Sequence, residues 1–254
     1  AGNLTITGVS AAVTTAPAAV TEDLTYSGAA QTLVSTGEAT GGTLKYYVST
    51  TNSTPETTAD GWTDVASTGT DAATYYVWYY VEADGNHTST AVTAIDGASK
   101  AIAQKDLTIT AKAQSISYGA SISTGTDQVE ANGLVTGDAI TAVTLTPSGT
   151  DVTTEGTITP SAATTTKGID NYNVTYTAGN LTITGVSAAV TTAPAAVTED
   201  LTYSGAAQTL FSEGSTSDGT LMYKVTTSST KPESTDDFTT SIDQQTNAGT
   251  YYLW

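Results

Sequence analysis

Four aromatic residues, Tyr47, Tyr76, Trp78 and Tyr80, have the types and spacing of a sugar-binding surface. The sequence predicts a long strand over residues 74–82, and strand alternation places Tyr76, Trp78 and Tyr80 on one face. Tyr47 lies on the predicted neighbouring strand. Aromatic rings offer broad apolar faces, so this set is the candidate glycan-binding site. The interpretation that we favour is that a loop or the next module covers the rings, because large apolar patches are seldom left exposed.

Catalytic chemistry has few candidates in this chain. His87 is the single histidine and follows Asp84 in a predicted hairpin turn, without the neighbouring pattern of a nucleophile and its base. With no cysteine and one histidine, a zinc site of the usual ligands is excluded. Paired carboxylates for sugar hydrolysis need only meet in space, but strand modules rarely form the deep cleft required. We predict no enzyme, no catalytic residues and no cofactor.

The acidic side chains are scattered and do not follow the ligand spacing of a calcium loop. We predict solvated charge for them, with an interdomain calcium ion as the alternative. Lys105 and Lys112 lie on or near predicted strands and are candidates for a covalent Lys-Asn or Lys-Asp bond. The acidic residues considered are Asp127, Glu130, Asp138, Asp236, Asp237 and Asp243.

Charge and composition exclude several classes of partner. The net charge is -18 with only seven Lys and Arg, whereas nucleic acid and anionic lipid require a basic surface. No apolar run approaches the roughly 18 residues of a membrane span, so we expect no membrane insertion of this segment. A Thr-rich chain without cysteine fits secretion without disulfides. We therefore expect an extracellular, cell-surface or cell-wall location.

The strongest organisational signal is an internal repeat. Residues 1–33 recur without change as residues 178–210, so the period is 177 residues. A period this long indicates whole domains repeated as a block rather than a solenoid. Because the chain enters in the middle of the motif, we expect the parent polypeptide to extend in both directions.

Comparing the two copies separates core from surface. Along residues 43–48, alternate apolar residues are kept while the residues between them change, which is the period of a strand with one packed face. Leu44, Tyr46 and Val48 recur as Leu221, Tyr223 and Val225, whereas Lys45 and Tyr47 become Met222 and Lys224.

A second repeated motif, residues 71–77 and 247–253, carries Tyr75 and Tyr251. It resembles the tyrosine corner of immunoglobulin-like sandwiches, in which a buried Tyr bonds to backbone through its hydroxyl. Residues 9–100 therefore resemble a bacterial immunoglobulin-like module with a last strand near residues 89–95. The copy over residues 186–254 lacks the counterpart of that strand.

The intervening stretch, residues 101–185, resembles the bacterial MBG ("mostly β-grasp") repeat domain. The resemblance implies an all-β module of large secreted or wall-attached proteins, with no common active site. The motifs that carry it are Leu107-Thr-Ile-Thr-Ala111, Ser117-Tyr-Gly119, Gly133-Leu-Val-Thr-Gly-Asp138, Asn171-Tyr-Asn-Val-Thr-Tyr176 and Gly179-Asn-Leu-Thr-Ile-Thr184. The predicted strands cover residues 106–110, 139–145, 156–159, 172–177 and 181–184.

These observations predict an all-β chain of tandem immunoglobulin-like and MBG-like modules in an elongated array. Residues 1–8 are the closing strand of a preceding MBG-like module, which would complete a neighbouring subunit if the chain truly began there. The predicted function is a non-enzymatic stalk or fibre segment of an adhesin-like bacterial surface protein, whose partners are its neighbouring modules. The alternative is a module that binds a glycan or a host matrix protein.

Overall fold

A computed structural model describes residues 2–254, with all side chains other than those of residues 96–98. The chain divides into two compact units, Ala1–Thr184 and Gly185–Trp254. Strands are the main regular secondary structure in both, and the helical segments among the described residues are two short 3₁₀ turns, Thr126–Gln128 and Ile169–Asn171. Across the same residues, no helix combines the length and apolar composition needed to span a bilayer. The predicted all-β fold is confirmed.

The first ten strands form what we call the first module, residues 9–103. Thr, Val and Tyr, which favour strands, supply much of their sequence. The strands are β1 (Val9–Ser10), β2 (Ala12–Thr15), β3 (Leu24–Thr25), β4 (Gln31–Thr32), β5 (Glu38–Thr40), β6 (Gly42–Ser49), β7 (Thr68–Gly69), β8 (Ala73–Ala83), β9 (His87–Thr88) and β10 (Thr93–Ala103).

The main sheet of the first module has the order β3-β10-β8-β6. Strand β8 pairs antiparallel with β6 in unbroken register and with β10 across a bulge between Ala94 and Ser99. The predicted last strand, residues 89–95, is placed too early: β10 continues to Ala103, beyond the predicted boundary at residue 100. The reason is that Ile102 is buried in the core and pairs with Leu24 of β3.

The core of the first module lies on the face predicted from the repeat. Leu44 and Tyr46 are buried and Val48 packs against the same core cluster. The shorter strand pairs β1-β9, β2-β5 and β4-β7 flank the main sheet. Apolar residues beside them, including Leu33 and Val34, belong to the same cluster. The alternation that the two copies preserve is therefore the alternation of core and surface.

The second module, residues 104–184, contains two sheets of order β13-β11-β16 and β12-β17-β15-β14. The five strands predicted here are all present, and β15 is much longer than predicted. Two further strands, β12 and β13, were not predicted. The strands are β11 (Lys105–Ala111), β12 (Gln114–Ser117), β13 (Val129–Asn132), β14 (Ile140–Pro147), β15 (Thr153–Thr165), β16 (Tyr172–Thr177) and β17 (Gly179–Thr184).

The C-terminal unit, Gly185–Trp254, repeats the first module in shorter strands. Its Tyr223 is buried like Tyr46, and each hydroxyl accepts a backbone N–H, from Gly214 at 2.9 Å and from Gly37 at 2.8 Å. The strands are β18 (Val190–Thr192), β19 (Ala195–Ala196), β20 (Phe211–Ser212), β21 (Ser215–Thr216), β22 (Val225–Thr226) and β23 (Tyr252–Leu253).

Residues 2–7 have the sequence of residues 179–184 but form no strand. Leu4 and Ile6 are 89% and 92% exposed, whereas Leu181 and Ile183 in β17 are 0% and 2% exposed. The difference follows from pairing, because β17 lies between β12 and β15 and residues 2–7 have no such neighbours among the described residues. Ala1, the first residue of the predicted closing strand, lies outside the described residues.

Candidate functional site

The predicted aromatic stripe is covered. Trp78 and Tyr80 are only 2% and 5% exposed, and Tyr47 and Tyr76 are half-buried. The covering residue is Trp62, whose ring lies 4.7 Å from that of Tyr80 and 5.4 Å from that of Tyr47. Trp78 and Tyr80 therefore do not belong to an open stripe. Their burial under a loop agrees with the interpretation favoured from the cost of exposed apolar area.

Polar contacts hold that covering loop in place. The Trp62 Nε1 donates to the Glu56 carbonyl at 3.0 Å. On the same face, the Lys45 ammonium contacts Asp64 at 2.6 Å and Glu82 at 3.1 Å, and these hydrogen bonds raise the pKa of Lys45. The aromatic cluster thus forms a second small core on the outer face of the sheet.

Sequence reasoning missed Trp62, although a signal for it existed. The β-bridges Tyr46–Thr63 and Tyr223–Thr239 align the two copies, which places Phe238 where the first copy has Trp62. An aromatic residue retained in a loop that otherwise changes indicates packing.

His87 is the first residue of β9 and directly follows the predicted turn after β8. Its Nδ1 is 2.7 Å from the Asp84 carboxylate, which also accepts the backbone N–H of Asn86. These bonds, with the His87 bond the larger, lower the pKa of Asp84. The residues around His87 build a capped surface turn.

Both predicted tyrosine corners have the expected hydrogen bond. The Tyr75 hydroxyl donates to the Asp71 carbonyl at 2.9 Å, and the Tyr251 hydroxyl donates to the Asn247 carbonyl at 2.8 Å. Each bond spans four residues, and the corner leads into the long strand β8 in the first copy and into the two-residue strand β23 in the second. In the first copy the same corner also contacts the second module through Asn171.

The most completely built polar and aromatic site is the contact between the first and second modules, which we call the joint. Tyr26, from the loop after β3, and Tyr172, from β16, meet edge to face with ring centroids 5.3 Å apart. Both rings are buried and belong to one core cluster that runs through the two modules. The Tyr26 N–H also donates to the Ala103 carbonyl at 2.9 Å, so β10 anchors the ring's backbone.

Asn171 supplies the polar half of the joint. Its Oδ1 accepts the backbone N–H of Ala72 at 2.7 Å, and its Nδ2 donates to the Asp71 carboxylate at 3.2 Å and to the Lys167 carbonyl at 2.9 Å. Asn171 is buried and comes from the second module, whereas Asp71 and Ala72 form the tyrosine corner of the first. A buried amide with these three bonds specifies one docking geometry.

Behind Asn171, the Tyr172 hydroxyl donates to the Asp138 carboxylate at 2.6 Å and accepts the Val135 N–H at 3.2 Å. Burial, followed by the bond to Asp138, raises the pKa of Tyr172 to about 12. Burial acts to raise the pKa of Asp138 as well. Hydrogen bonds from Tyr172 and from the Lys167 and Ala139 N–H groups outweigh it, so this pKa lies below its ordinary value. The prediction that Asp138 is simply solvated charge is therefore wrong.

Close approach of the two modules requires a glycine at position 28. Gly28 has φ +75°, and a methyl group there would lie 2.8 Å from the Val135 Cγ2 and 3.2 Å from the Lys167 Nζ. The single residue between β10 and β11, Gln104, adds a hydrogen bond from its Nε2 to the Asp170 carbonyl at 2.8 Å. The two modules therefore contact each other at the tyrosine pair, at Asn171, at Gly28 and at Gln104.

The other acidic residues do not assemble into a metal-binding group. Within the part of the chain that the structure describes, no three His, Cys, Asp or Glu side chains lie close enough to hold an ion together. The joint carries packing and hydrogen bonds, and its Asp138 carboxylate accepts hydrogen bonds from the Tyr172 hydroxyl and from two backbone N–H groups.

A comparison with known protein families supports the resemblance of the second module to the MBG domain. Residues 107–182 match the family model of the MBG domain, YGX type, and the matched range includes Tyr118 and Gly119 of the quoted motifs. The predicted MBG-like module is confirmed over this range. Searches of curated proteins and of solved structures gave no match. Residues 107–182 thus match a family of structural domains that occur in bacterial surface proteins.

Proposed function

We propose that this chain is a non-enzymatic structural segment, a stalk or fibre, of a large bacterial surface protein. In it, immunoglobulin-like modules alternate with MBG modules, as the two copies around one MBG domain suggest. The observation that carries the proposal is the joint, where an aromatic pair, a buried Asn and a required glycine fix two modules together. A spacer has to transmit position and force, and a packed joint does this where a flexible linker does not.

The path of the chain through the joint supports this role. Strand β10 passes into β11 with only Gln104 between them, so a pull along the chain reaches both modules through adjacent strands. Tyr26 and Leu24 pair with the end of β10, and Tyr172 pairs with Lys105 at the start of β11. The end of β10 and the start of β11 are therefore both hydrogen-bonded to neighbouring segments.

The charge fits an extracellular array. A net charge of -18 keeps like-charged chains apart and soluble, and it disfavours nucleic acid as a partner. MBG domains occur in bacterial surface proteins, which supports a location outside the cell. In this role the partners of each module are its neighbours in the same polypeptide.

The second candidate function, binding of a glycan or of a host matrix protein, remains a prediction. Its surface would consist of the half-buried rings of Tyr47 and Tyr76 with the edge of Trp62, because Trp78 and Tyr80 lie beneath them. Loss of glycan affinity in a folded Tyr76→Ala variant would support it.

The structural role is tested by mapping the native polypeptide. Sequencing of the reading frame, with mass spectrometry of the surface fraction, is expected to find further repeats of this block, a secretion signal and a surface anchor. A protein recovered only from the cytosol, or one without further repeats, would contradict the proposal.

A further inference from the structure

The joint of the first module has a counterpart in the C-terminal unit that is uncovered. Tyr26 is 2% exposed, whereas Tyr203, at the same position of the repeat, is 66% exposed. The sequences that flank the two rings are identical, since both rings lie in the unchanged repeat of residues 1–33 and 178–210. The difference in exposure therefore arises from what covers the ring.

We call this uncovered counterpart the socket and define it as Leu201, Tyr203, Gly205, Asn247 and Ala248. Four of these residues line an open groove of about 420 Å³, together with Gln208 and Tyr251. In the first module the corresponding space holds the end of β10 and the edge of the second module. Leu201 and Thr202 have no strand partner among the described residues, whereas Leu24 and Thr25 pair with Ile102 and Ala103.

We propose that the socket is a docking surface for another copy of the MBG module, entering with its preceding strand, the sequence of residues 93–184. The proposal rests on the proposed function and names the partner of one surface within it. The first module supports this choice of occupant, because residues 93–184 cover the equivalent surface there.

The socket is already shaped as in the covered copy. Gly28 and Gly205 both have φ +75°. Gln31 donates to the Thr25 carbonyl at 3.0 Å, and Gln208 donates to the Thr202 carbonyl at 3.2 Å. A surface that holds its bound conformation before docking loses less conformational entropy on binding.

Among the five socket residues, one differs between the two copies, and this difference preserves the polar contact. Asp71 is replaced by Asn247, and Ala72 by Ala248. In the joint, Asn171 donates to a side-chain oxygen of Asp71 and accepts the Ala72 N–H. An Asn side chain also offers an oxygen acceptor, so an incoming Asn171 can make both bonds in the socket.

The test uses the full chain and an extended chain in which a copy of residues 79–184 follows Trp254, the counterpart of Trp78. Tyrosine nitration, read by peptide mass, distinguishes the two sites because Phe211 follows Leu210 where Val34 follows Leu33. We expect Tyr203 to react readily in the full chain and at least about tenfold more slowly in the extended chain, as for a group exposed only by local opening. Tyr26 stays protected and Tyr118 stays reactive in both.

The matched control is Gly205→Asn in the extended chain. Asn tolerates positive φ, so the turn is kept while a side chain enters the space that Val135 and Lys167 occupy in the joint. Reactivity of Tyr203 is expected to return. Hydrogen exchange checks that the added copy folds. The added copy and residues 79–184 give identical peptides, so an unfolded copy would make half of each peptide population exchange fast.

Two results would overturn the proposal. One is an added copy that folds while Tyr203 keeps its full reactivity. The other is concentration-dependent protection of Tyr203 in the unextended chain, which would assign the socket to a second molecule. Neither result touches the joint at Tyr26, so the proposed structural function is judged separately.

Discussion

Tyr26 and Tyr172 come from different modules and meet edge to face, 5.3 Å apart and 83° between ring planes, at the centre of a continuous core. Edge-to-face pairs contribute about 0.5 to 1.5 kcal/mol beyond the area they bury. The two modules on either side of this pair are therefore coupled in stability, and each change at the joint should be felt by both.

Replacing Tyr172 by Phe tests the hydroxyl alone. The change leaves the ring in place but removes the donor to Asp138 and the acceptor of the Val135 N–H. We expect a loss of about 1 to 3 kcal/mol in unfolding free energy, because buried partners are left unpaired. Denaturant unfolding measures it. Tyr176→Phe is the matched control at a partly exposed hydroxyl of the same strand, and an equal loss there would contradict a special role for Tyr172.

Stability should depend on pH at both ends of the range. The folded-state pKa of Asp138 lies below its unfolded value. Its stabilisation is fully present above roughly pH 4, the ordinary pKa of Asp, and is lost as the pH falls through the folded pKa. Asp138→Asn should flatten the acid side of a curve of unfolding free energy against pH. An unchanged acid limb in that variant would contradict the assignment.

The loss of unfolding free energy at high pH is assigned mainly to Tyr172. Its pKa is raised from 10.0 to about 12 in the folded protein. The protonated hydroxyl therefore stabilises the fold fully below pH 10, and this contribution is lost as the pH rises through about 12. In Tyr172→Phe the loss of stability at high pH should become smaller, with Tyr26, Tyr80 and Lys45, whose pKa values are also raised, supplying the remainder. The loss at acid pH should be weakened as well, and thermal unfolding across the two pH ranges would detect both changes.

Asn171→Asp should weaken the joint through like charge. The new carboxylate would face Asp71 and the Lys167 carbonyl, 3.2 and 2.9 Å from the present Nδ2, and would lose both hydrogen bonds. We expect a loss of about 1 to 3 kcal/mol, partly restored in the double variant with Asp71→Asn, which removes the like charge but not the unpaired Lys167 carbonyl. Asp71→Asn alone is the substitution that the second copy carries and should be nearly neutral. Additive losses in the double variant would show that the two side chains are not coupled.

Trp62→Ala should uncover the aromatic cluster. Trp62 is partly buried and closes over Tyr80 and Tyr47, so we expect a loss of about 2 to 4 kcal/mol, at or below the usual cost of removing a buried aromatic ring. A red shift in Trp78 emission should accompany it. Val65→Ala, in the same loop at a largely exposed position, is the control. Unchanged emission would contradict the covering role of Trp62.

The repeated residues predicted much of the fold. Leu44, Tyr46 and the Tyr75 corner were predicted from positions kept between copies, because local alternation and a four-residue hydrogen bond are written in nearby sequence. Strand β15 was predicted too short. It continues through Pro160, which is tolerated because β15 pairs with β17 only up to Ile158 and with β14 alone beyond it.

The joint could not be predicted in the same way. Asn171 and Ala72 are 99 residues apart in sequence and meet only after two modules dock. Asp138 likewise resembled any other surface carboxylate until Tyr172 was placed against it. A single sequence does not encode such pairings as a local period, whereas the kept aromatic character of Trp62 and Phe238 was a readable signal.

The most direct test of the account is whether the two modules of residues 9–184 tumble as one body. Residual dipolar couplings of the full chain in a weakly aligning medium would measure this. A single alignment tensor that fits the amides of β8 and β15 together is the predicted result, and Asn171→Asp should separate the tensors. Two independent tensors in the unmodified chain would contradict a fixed joint and the structural role built on it.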